Sequence, residues 1–129
     1  AIREFQAALR IDPNFAEAHH NLGVAYERQG RLDDAMREYQ AALRIDPNLV
    51  GAHYNLGVIY RDQGPLDDAV REFQAALRID PNNAVAHANL GVAYGQQGRP
   101  DDAVRELKVA LSLGFEPARE ALAMLGYAA

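Results

Sequence analysis

Cysteine, tryptophan and threonine are absent from this 129-residue chain, and serine and lysine occur once each, as Ser112 and Lys108. Without cysteine there is no disulfide, no thiolate nucleophile, no cysteine-bound zinc and no iron–sulfur cluster. With one serine and one lysine, a hydroxyl or amine nucleophile has almost no candidate. No apolar run approaches the roughly 18 residues that cross a bilayer, and no basic-then-apolar leader opens the sequence. A surplus of positive charge is missing as well. The net charge is −5, the opposite of what displaces counterions from nucleic acid. The expectation is therefore a chain with no enzymatic activity, no cofactor, no metal, no nucleic-acid partner and no membrane insertion, for which a cytoplasmic location is favoured. What is present suffices for one folded domain: 49% of residues are apolar and 24% charged.

Self-similarity organises the chain. Asp-Pro-Asn occurs at Asp12-Pro13-Asn14, again at Asp46-Pro47-Asn48, and again at Asp80-Pro81-Asn82, each copy 34 residues after the last. Residues 16–49 and 50–83 are identical at 24 of 34 positions. Residues 84–117 keep the pattern and drift towards the end. Ala1, Phe5, Ala8 and Leu9 align with Ala35, Tyr39, Ala42 and Leu43, so residues 1–15 match the second half of a unit. Residues 117–129 read as a C-terminal helix, either a cap or the start of a further unit. Periods of this length mark solenoids or arrays.

Each unit reads as two helices. Ala18, Leu22 and Tyr26 recur at i, i+4 and i+8. Asn14 with Glu17 three residues on has the pattern of a capping box. Gly30, Gly64 and Gly98 end the first helices. Asp33-Asp34, Asp67-Asp68 and Asp101-Asp102 open the second helices, where carboxylates meet the positive end of the dipole. They read as helix starts rather than acid/base pairs. Asp33/Arg37, Asp67/Arg71 and Asp101/Arg105 stand at the i,i+4 spacing of an ion pair. Pro47 stops the second helix. Helices are expected near 1–12, 15–29, 33–46, 49–63, 67–80, 83–97, 101–113 and 117–127. Their core would hold Leu22, Tyr26, Ala35, Tyr39, Leu43 and Ile45, with Leu56, Tyr60, Phe73, Leu77 and Ile79, then Leu90, Tyr94, Leu107 and Leu111. Gly23, Gly57 and Gly91 inside the first helices, with Ala35, Ala69 and Ala103 facing them, point to close helix approach.

The motif His19-x2-Leu22-Gly23-x2-Tyr26, Ala35-x3-Tyr39, Pro47 resembles the tetratricopeptide repeat, whose signature is W-x2-L-G-x2-Y, A-x3-F, P. His53, Leu56, Gly57, Tyr60, Ala69, Phe73 and Pro81 repeat it. His87, Leu90, Gly91, Tyr94, Ala103 and Leu107 repeat it without the proline. The resemblance covers almost the whole chain. It implies an all-α, right-handed superhelical solenoid of antiparallel helix pairs, with first helices lining a concave groove. It also implies a protein–protein interaction scaffold that holds an extended peptide or partner segment. Histidine in place of tryptophan, followed by Asn-Leu-Gly, is similar to bacterial members and to the repeat arm of O-linked N-acetylglucosamine transferase. In that arm asparagines hold peptide backbone, and Asn21, Asn55 and Asn89 match them. The same asparagines could instead bond to the neighbouring helix and stabilise the stack.

Specificity would come from positions one turn either side of these asparagines. They are Glu17, His20, Val24, Glu27 and Arg28 in one unit, and Gly51, Tyr54, Val58, Arg61 and Asp62 in the next. The third offers Val85, Ala88, Val92, Gly95 and Gln96. The groove would run from charged to nearly neutral over a valine stripe, Val24/Val58/Val92. Some members clamp a C-terminal carboxylate with basic residues, which here fall on His20, Val85 and Asn89, so that clamp is not expected. His19, His53 and His87 also form a column, but successive helix pairs lie roughly 10 Å apart and a zinc–nitrogen bond is about 2 Å. One ion cannot bridge two of them. Ala1 falls within a unit, so a larger parent is expected, and a recruiting arm of an enzyme such as a glycosyltransferase is the alternative reading. Apolar ends, with Phe5, Ala8 and Leu9 at one and Leu122, Met124 and Leu125 at the other, would favour head-to-tail self-association.

Overall fold

The structure is a computed structural model that describes residues 1–127. It contains α1 (Ile2–Ile11), α2 (Ala16–Arg28), α3 (Leu32–Ile45), α4 (Val50–Gln63), α5 (Leu66–Ile79), α6 (Ala84–Gln96), α7 (Pro100–Ser112) and α8 (Pro117–Met124). No strand occurs among the described residues. Helices fall within a residue or so of the expected spans, except α8, which stops at Met124. Each helix packs on the next, and the pairs α2/α3, α4/α5 and α6/α7 pack most closely. They are antiparallel: Gly91 meets Leu107, whereas Gly95, later in α6, meets Ala103, earlier in α7.

Small residues set how closely a pair can approach. A Cβ on Gly23 would stand 2.7 Å from Cε1 of Tyr39, and one on Gly57 the same distance from Cε1 of Phe73. Both rings are fully buried. Ala35, Ala69 and Ala103 are likewise fully buried, so the backbones approach across them. Leu22, Tyr26, Leu56, Leu90, Tyr94 and Leu107 complete the interior. Leu43, Leu77, Tyr60 and Leu111 are half-buried. Ile45 and Ile79 depart from the expected core. They are the last residues of α3 and α5, where the chain leaves for the Asp-Pro-Asn turn, and each is over a third exposed.

Hydrogen bonds join the helices within each unit. His19 Nε2 lies 2.9 Å from the Pro13 carbonyl and Nδ1 lies 2.8 Å from Oε1 of Glu38. His53 repeats this with Pro47 and Glu72, and His87 with Pro81 and Glu106. A carbonyl only accepts, so Nε2 carries a hydrogen and donates. The tryptophan slot is thus filled by a ring that clamps the incoming turn, the first helix and the second. Between units, the Gln6, Gln40 and Gln74 amides donate to the hydroxyls of Tyr26, Tyr60 and Tyr94. Arg31 and Arg99 cover the faces of Tyr26 and Tyr94 at 4.4 and 4.3 Å.

Three local expectations are corrected. The capping box does not form. Asp12, Asp46 and Asp80 accept from the backbone N–H two residues on, an Asx turn, and the caps fall at Phe15, Leu49 and Asn83. Only Asn83 caps with its side chain, accepting from Ala86 at 3.1 Å. The arginines pair with the second aspartate rather than the first: Arg37 with Asp34, Arg71 with Asp68, Arg105 with Asp102. Spacings i,i+3 and i,i+4 are both neighbours on a helix, and Arg31 and Arg99 add a second cation to Asp34 and Asp102. Finally, Leu122 does not face solvent. It is 1% exposed, packed with Ala118 against Val104, Leu107 and Ala110, and Phe5 is half-buried against the Leu22–Tyr26 cluster. Met124 stands exposed.

Substituting one residue type should have opposite effects at two glycines. Gly57→Ala drives a methyl into the buried Phe73 ring and should cost about 1–3 kcal/mol. Gly95→Ala meets nothing closer than 3.9 Å and should gain up to about 1 kcal/mol of helix propensity. Urea midpoints moving the same way in both variants would contradict the close approach.

Candidate functional site

The site is built on one face of the first helices, where α2, α4 and α6 present His20, Tyr54 and Ala88 at equivalent positions. His20 abuts Gly51 on the next first helix, since a Cβ there would lie 2.8 Å from its ring. The His20 ring meets Tyr39 edge-on at 5.5 Å, and Tyr54 meets Phe73 in the same way at 6.0 Å. The first-helix face therefore rests on the rings that the small glycines admit.

Two of the three asparagines tie successive units together. Asn55 Nδ2 lies 3.4 Å from Nε2 of His20 and donates to the Tyr39 hydroxyl at 3.3 Å. That hydroxyl donates onward to Oε1 of Glu27 at 2.6 Å. Asn89 donates to the Tyr54 hydroxyl at 2.9 Å and accepts from Arg61 through Oδ1. Arg61 also holds Asp62, with Nε 3.2 Å from Oδ1. Asn21 is exposed. An amide offers two N–H groups and an oxygen with two lone pairs. These bonds therefore use both N–H groups of Asn55 but neither lone pair, and they leave Asn89 with one N–H and one lone pair.

Two concavities gather some of the sequence-derived candidates, whereas Asn21, His20, Tyr54, Val58, Arg61 and Asp62 line neither. Val24, Glu27, Arg28 and Asn55 line one, of about 250 Å³, with Tyr39. Val85, Ala88, Asn89 and Val92 line the other, of about 240 Å³, with Leu107, Phe115, Pro117, Ala118 and Ala121. Tyr54 and Val58 are half-buried against the Phe73–Leu90 cluster, so the valine stripe is part floor and part core. Gly95 and Gln96 are exposed at the end of α6. Among the lining residues, sequence reasoning missed Tyr39, Leu107, Phe115, Pro117, Ala118 and Ala121. The repeat spacing marked Tyr39 as core, which it is, and its buried hydroxyl bonds Glu27 and Asn55 beneath the concavity. Phe115 lies after the last repeat match and carried no periodic signal.

Electrostatics differ along this face. Burial lowers the His20 imidazole below its ordinary range, against the Glu17 and Glu27 carboxylates, which pull it up. The ring is thus favoured neutral, with Nε2 able to accept from Asn55. Burial, reinforced by the Glu27 carboxylate, raises the Tyr39 phenol well above its ordinary value, so it stays a donor. The second concavity is lined by no charged side chain.

The direction of the His20 shift is testable. A folded-state value below the unfolded one contributes stability that is complete above the ordinary histidine range and is lost as pH falls through it. Proton NMR of the four imidazoles should show His20 titrating below free histidine. A His20 midpoint at or above that of free histidine would contradict its buried environment.

A family model described as TPR repeat matches residues 1–30, 28–64 and 57–98, and one described as tetratricopeptide repeat matches residues 85–114. No curated protein matches the chain. Among solved structures, the chain is similar to a crystal structure of MamA with a TM-score of 0.90 and 25% identity, over 96% of this chain and 74% of that one. A second crystal structure of MamA aligns with a TM-score of 0.80 and 27% identity, over 99% of this chain and 67% of that one. The repeat matches run through most of the sequence, and they fall on the stacked helix pairs that the glycines and histidines hold together. The chain belongs to the tetratricopeptide-repeat family.

Proposed function

We propose that the first-helix face holds an extended segment of a partner protein, with Asn21, Asn55 and Asn89 pairing to its backbone. The coarser part of this reading comes with the family, whose repeats are protein–protein interaction scaffolds. The finer part rests on one observation: after tying the units together, the asparagine column keeps unused hydrogen-bonding capacity beside two concavities. Asn55 offers an acceptor for a peptide N–H. Asn89 offers both a donor and an acceptor, and exposed Asn21 offers its whole amide. Backbone pairing of this kind is indifferent to side chains. Selectivity then falls to the flanking His20, Val24, Glu27, Arg28, Tyr54, Val58, Arg61, Asp62 and Val92.

The groups on this face suit binding rather than turnover. Tyr39 is held as a donor to Glu27, and Arg61 is engaged by Asp62 and Asn89. No group of three or more metal-capable side chains occurs among the described residues, and no described helix is long and apolar enough to cross a membrane.

A peptide array probed with wild type and with the triple Asn21→Ala, Asn55→Ala, Asn89→Ala variant tests the reading. Three backbone bonds at about 1 kcal/mol each correspond to roughly a hundredfold loss of affinity. Because Asn55 and Asn89 also tie units, helicity at the assay temperature is checked by circular dichroism. Equal binding by a folded triple variant would overturn the proposal.

A further inference from the structure

Where the first helix of a unit turns into the second, two units hold an arginine in the same setting. Arg31 lies over the Tyr26 ring at 4.4 Å and donates through Nε to Oδ2 of Asp34 at 2.9 Å. Arg99 lies over the Tyr94 ring at 4.3 Å and donates through Nε to Oδ2 of Asp102 at 2.8 Å. A planar guanidinium suits this place because it stacks on a ring while its N–H groups reach a carboxylate. The unit between them keeps the ring and the carboxylate, as Tyr60 and Asp68, but has Pro65 where the arginine stands. The Pro65 carbonyl accepts from Ala69, as those of Arg31 and Arg99 accept from Ala35 and Ala103, so α5 starts in the same register and Asp68 keeps its position. Proline has no N–H, and the Tyr60 carbonyl accepts from Gly64 instead.

The ring and the carboxylate are both left open. Tyr26 and Tyr94 are each 8% exposed, whereas Tyr60 is only half-buried. The Asp68 side chain is 42% exposed, against 29% for Asp34 and 25% for Asp102. Among the described residues no cation lies over the Tyr60 ring, and Oδ2 of Asp68 accepts no hydrogen bond. A concavity of about 750 Å³ opens beside them, lined by Pro65, Asp67, Asp68, Arg71, Gln97 and Arg99. Its two arginines do not fill the place. Arg71 holds Oδ1 of Asp68, just as Arg37 and Arg105 hold Oδ1 of Asp34 and Asp102, and in those units a second arginine still sits on Oδ2. Arg99 is turned to Tyr94 and Asp102. Asp67 accepts from the neutral Gln97 amide at 2.6 Å and pairs with no cation among the described residues.

We propose that Tyr60 and Asp68 form a docking site for an arginine of a partner protein, whose guanidinium lies over the Tyr60 ring and bonds Oδ2 of Asp68 as the chain's own arginines do in the flanking units. The site stands at the turn between α4 and α5 and uses none of the asparagines, so it is a contact independent of the groove.

Tyr26 and Tyr94 supply the control within the same molecule. Protein labelled at its tyrosine rings is titrated by NMR with blocked glycine–X–glycine peptides at millimolar concentrations, where X is arginine, lysine or the uncharged citrulline. The arginine peptide should shift the Tyr60 ring resonances saturably and leave Tyr26 and Tyr94, already covered, in place. The lysine peptide should shift Tyr60 less, and the citrulline peptide not at all. Pro65→Arg, which supplies the guanidinium from within the chain, should abolish the Tyr60 response. Arg31→Ala should open Tyr26 to the arginine peptide. Circular dichroism checks that both variants are folded. An unmoved Tyr60, equal shifts of all three tyrosines, equal responses to the three peptides, or a Tyr60 response that survives Pro65→Arg would overturn the proposal. Tyr60 shifts that appear on concentrating the protein alone would give the place to a second copy and overturn the partner.

Discussion

Everything on the first-helix face depends on the contact between a glycine and a ring. With Gly23 and Gly57 lacking a Cβ, the Tyr39 and Phe73 rings lie flush against α2 and α4, where a methyl would come within 2.7 Å. The mid-helix glycine costs roughly 1 kcal/mol in helix propensity each time, a cost offset by burying a whole aromatic side chain, worth about 1.5–3 kcal/mol. The close approach also decides where the ring's far edge goes. Tyr39 passes between the two helices of its unit and delivers its hydroxyl to Glu27 and Asn55. A packing constraint thereby sets the hydrogen bonding beneath the proposed groove.

The third unit shows what happens when the constraint is relaxed. Gly91 faces Leu107, and a Cβ there would lie 3.0 Å from Cγ and 3.1 Å from the Ala103 carbonyl. The backbones are still close, but α7 supplies a leucine in place of the second-helix ring. Instead of a hydrogen-bonded chain like Asn55–Tyr39–Glu27 there is an uncharged well closed by Phe115 and α8. The gradient along the face is thus a direct consequence of repeat drift. The clamps of His19, His53 and His87 and the glutamine–tyrosine bonds persist through all three units, so the scaffold is uniform while its lining is not.

Most of the fold was legible in the sequence because the relevant interactions repeat at a fixed period. Leu22, Leu56 and Leu90 are all buried because the same stripe recurs in each unit. Details that depend on fine geometry were not legible. Asp33 and Asp34 both stand at neighbour spacings from Arg37, and Arg71 pairs with Asp68 in the same way although Pro65 replaces Arg31 there, so the choice lies in helix geometry that spacing alone does not resolve. Asn14 precedes the helix, yet the Asx turn made by Asp12 shifts the cap by one residue. The glutamates paired with the histidines recur at Glu38, Glu72 and Glu106, and that period was a usable signal for a clamp. For the candidate site, helix spacing supplied Val24, Glu27, Arg28, Val85, Ala88 and Val92 of the two linings, whereas Tyr39, Phe115, Pro117, Ala118 and Ala121 entered through packing. The partners of Asn55 and Asn89 lie 35 positions back, at His20 and Tyr54, and required the packing of whole units to be known.

The central claim is that the first helices, through the row from Asn21 to Asn89, carry the partner. Methyl-labelled protein titrated with a bound partner segment tests it most directly by NMR. The account requires the Val24, Val58 and Val92 methyls to shift, while those of Ile45 and Ile79 at the ends of the second helices stay in place. Shifts confined to Ile45, Ile79 and their neighbours, with the three valines unmoved, would place the partner on the other helices and contradict the account.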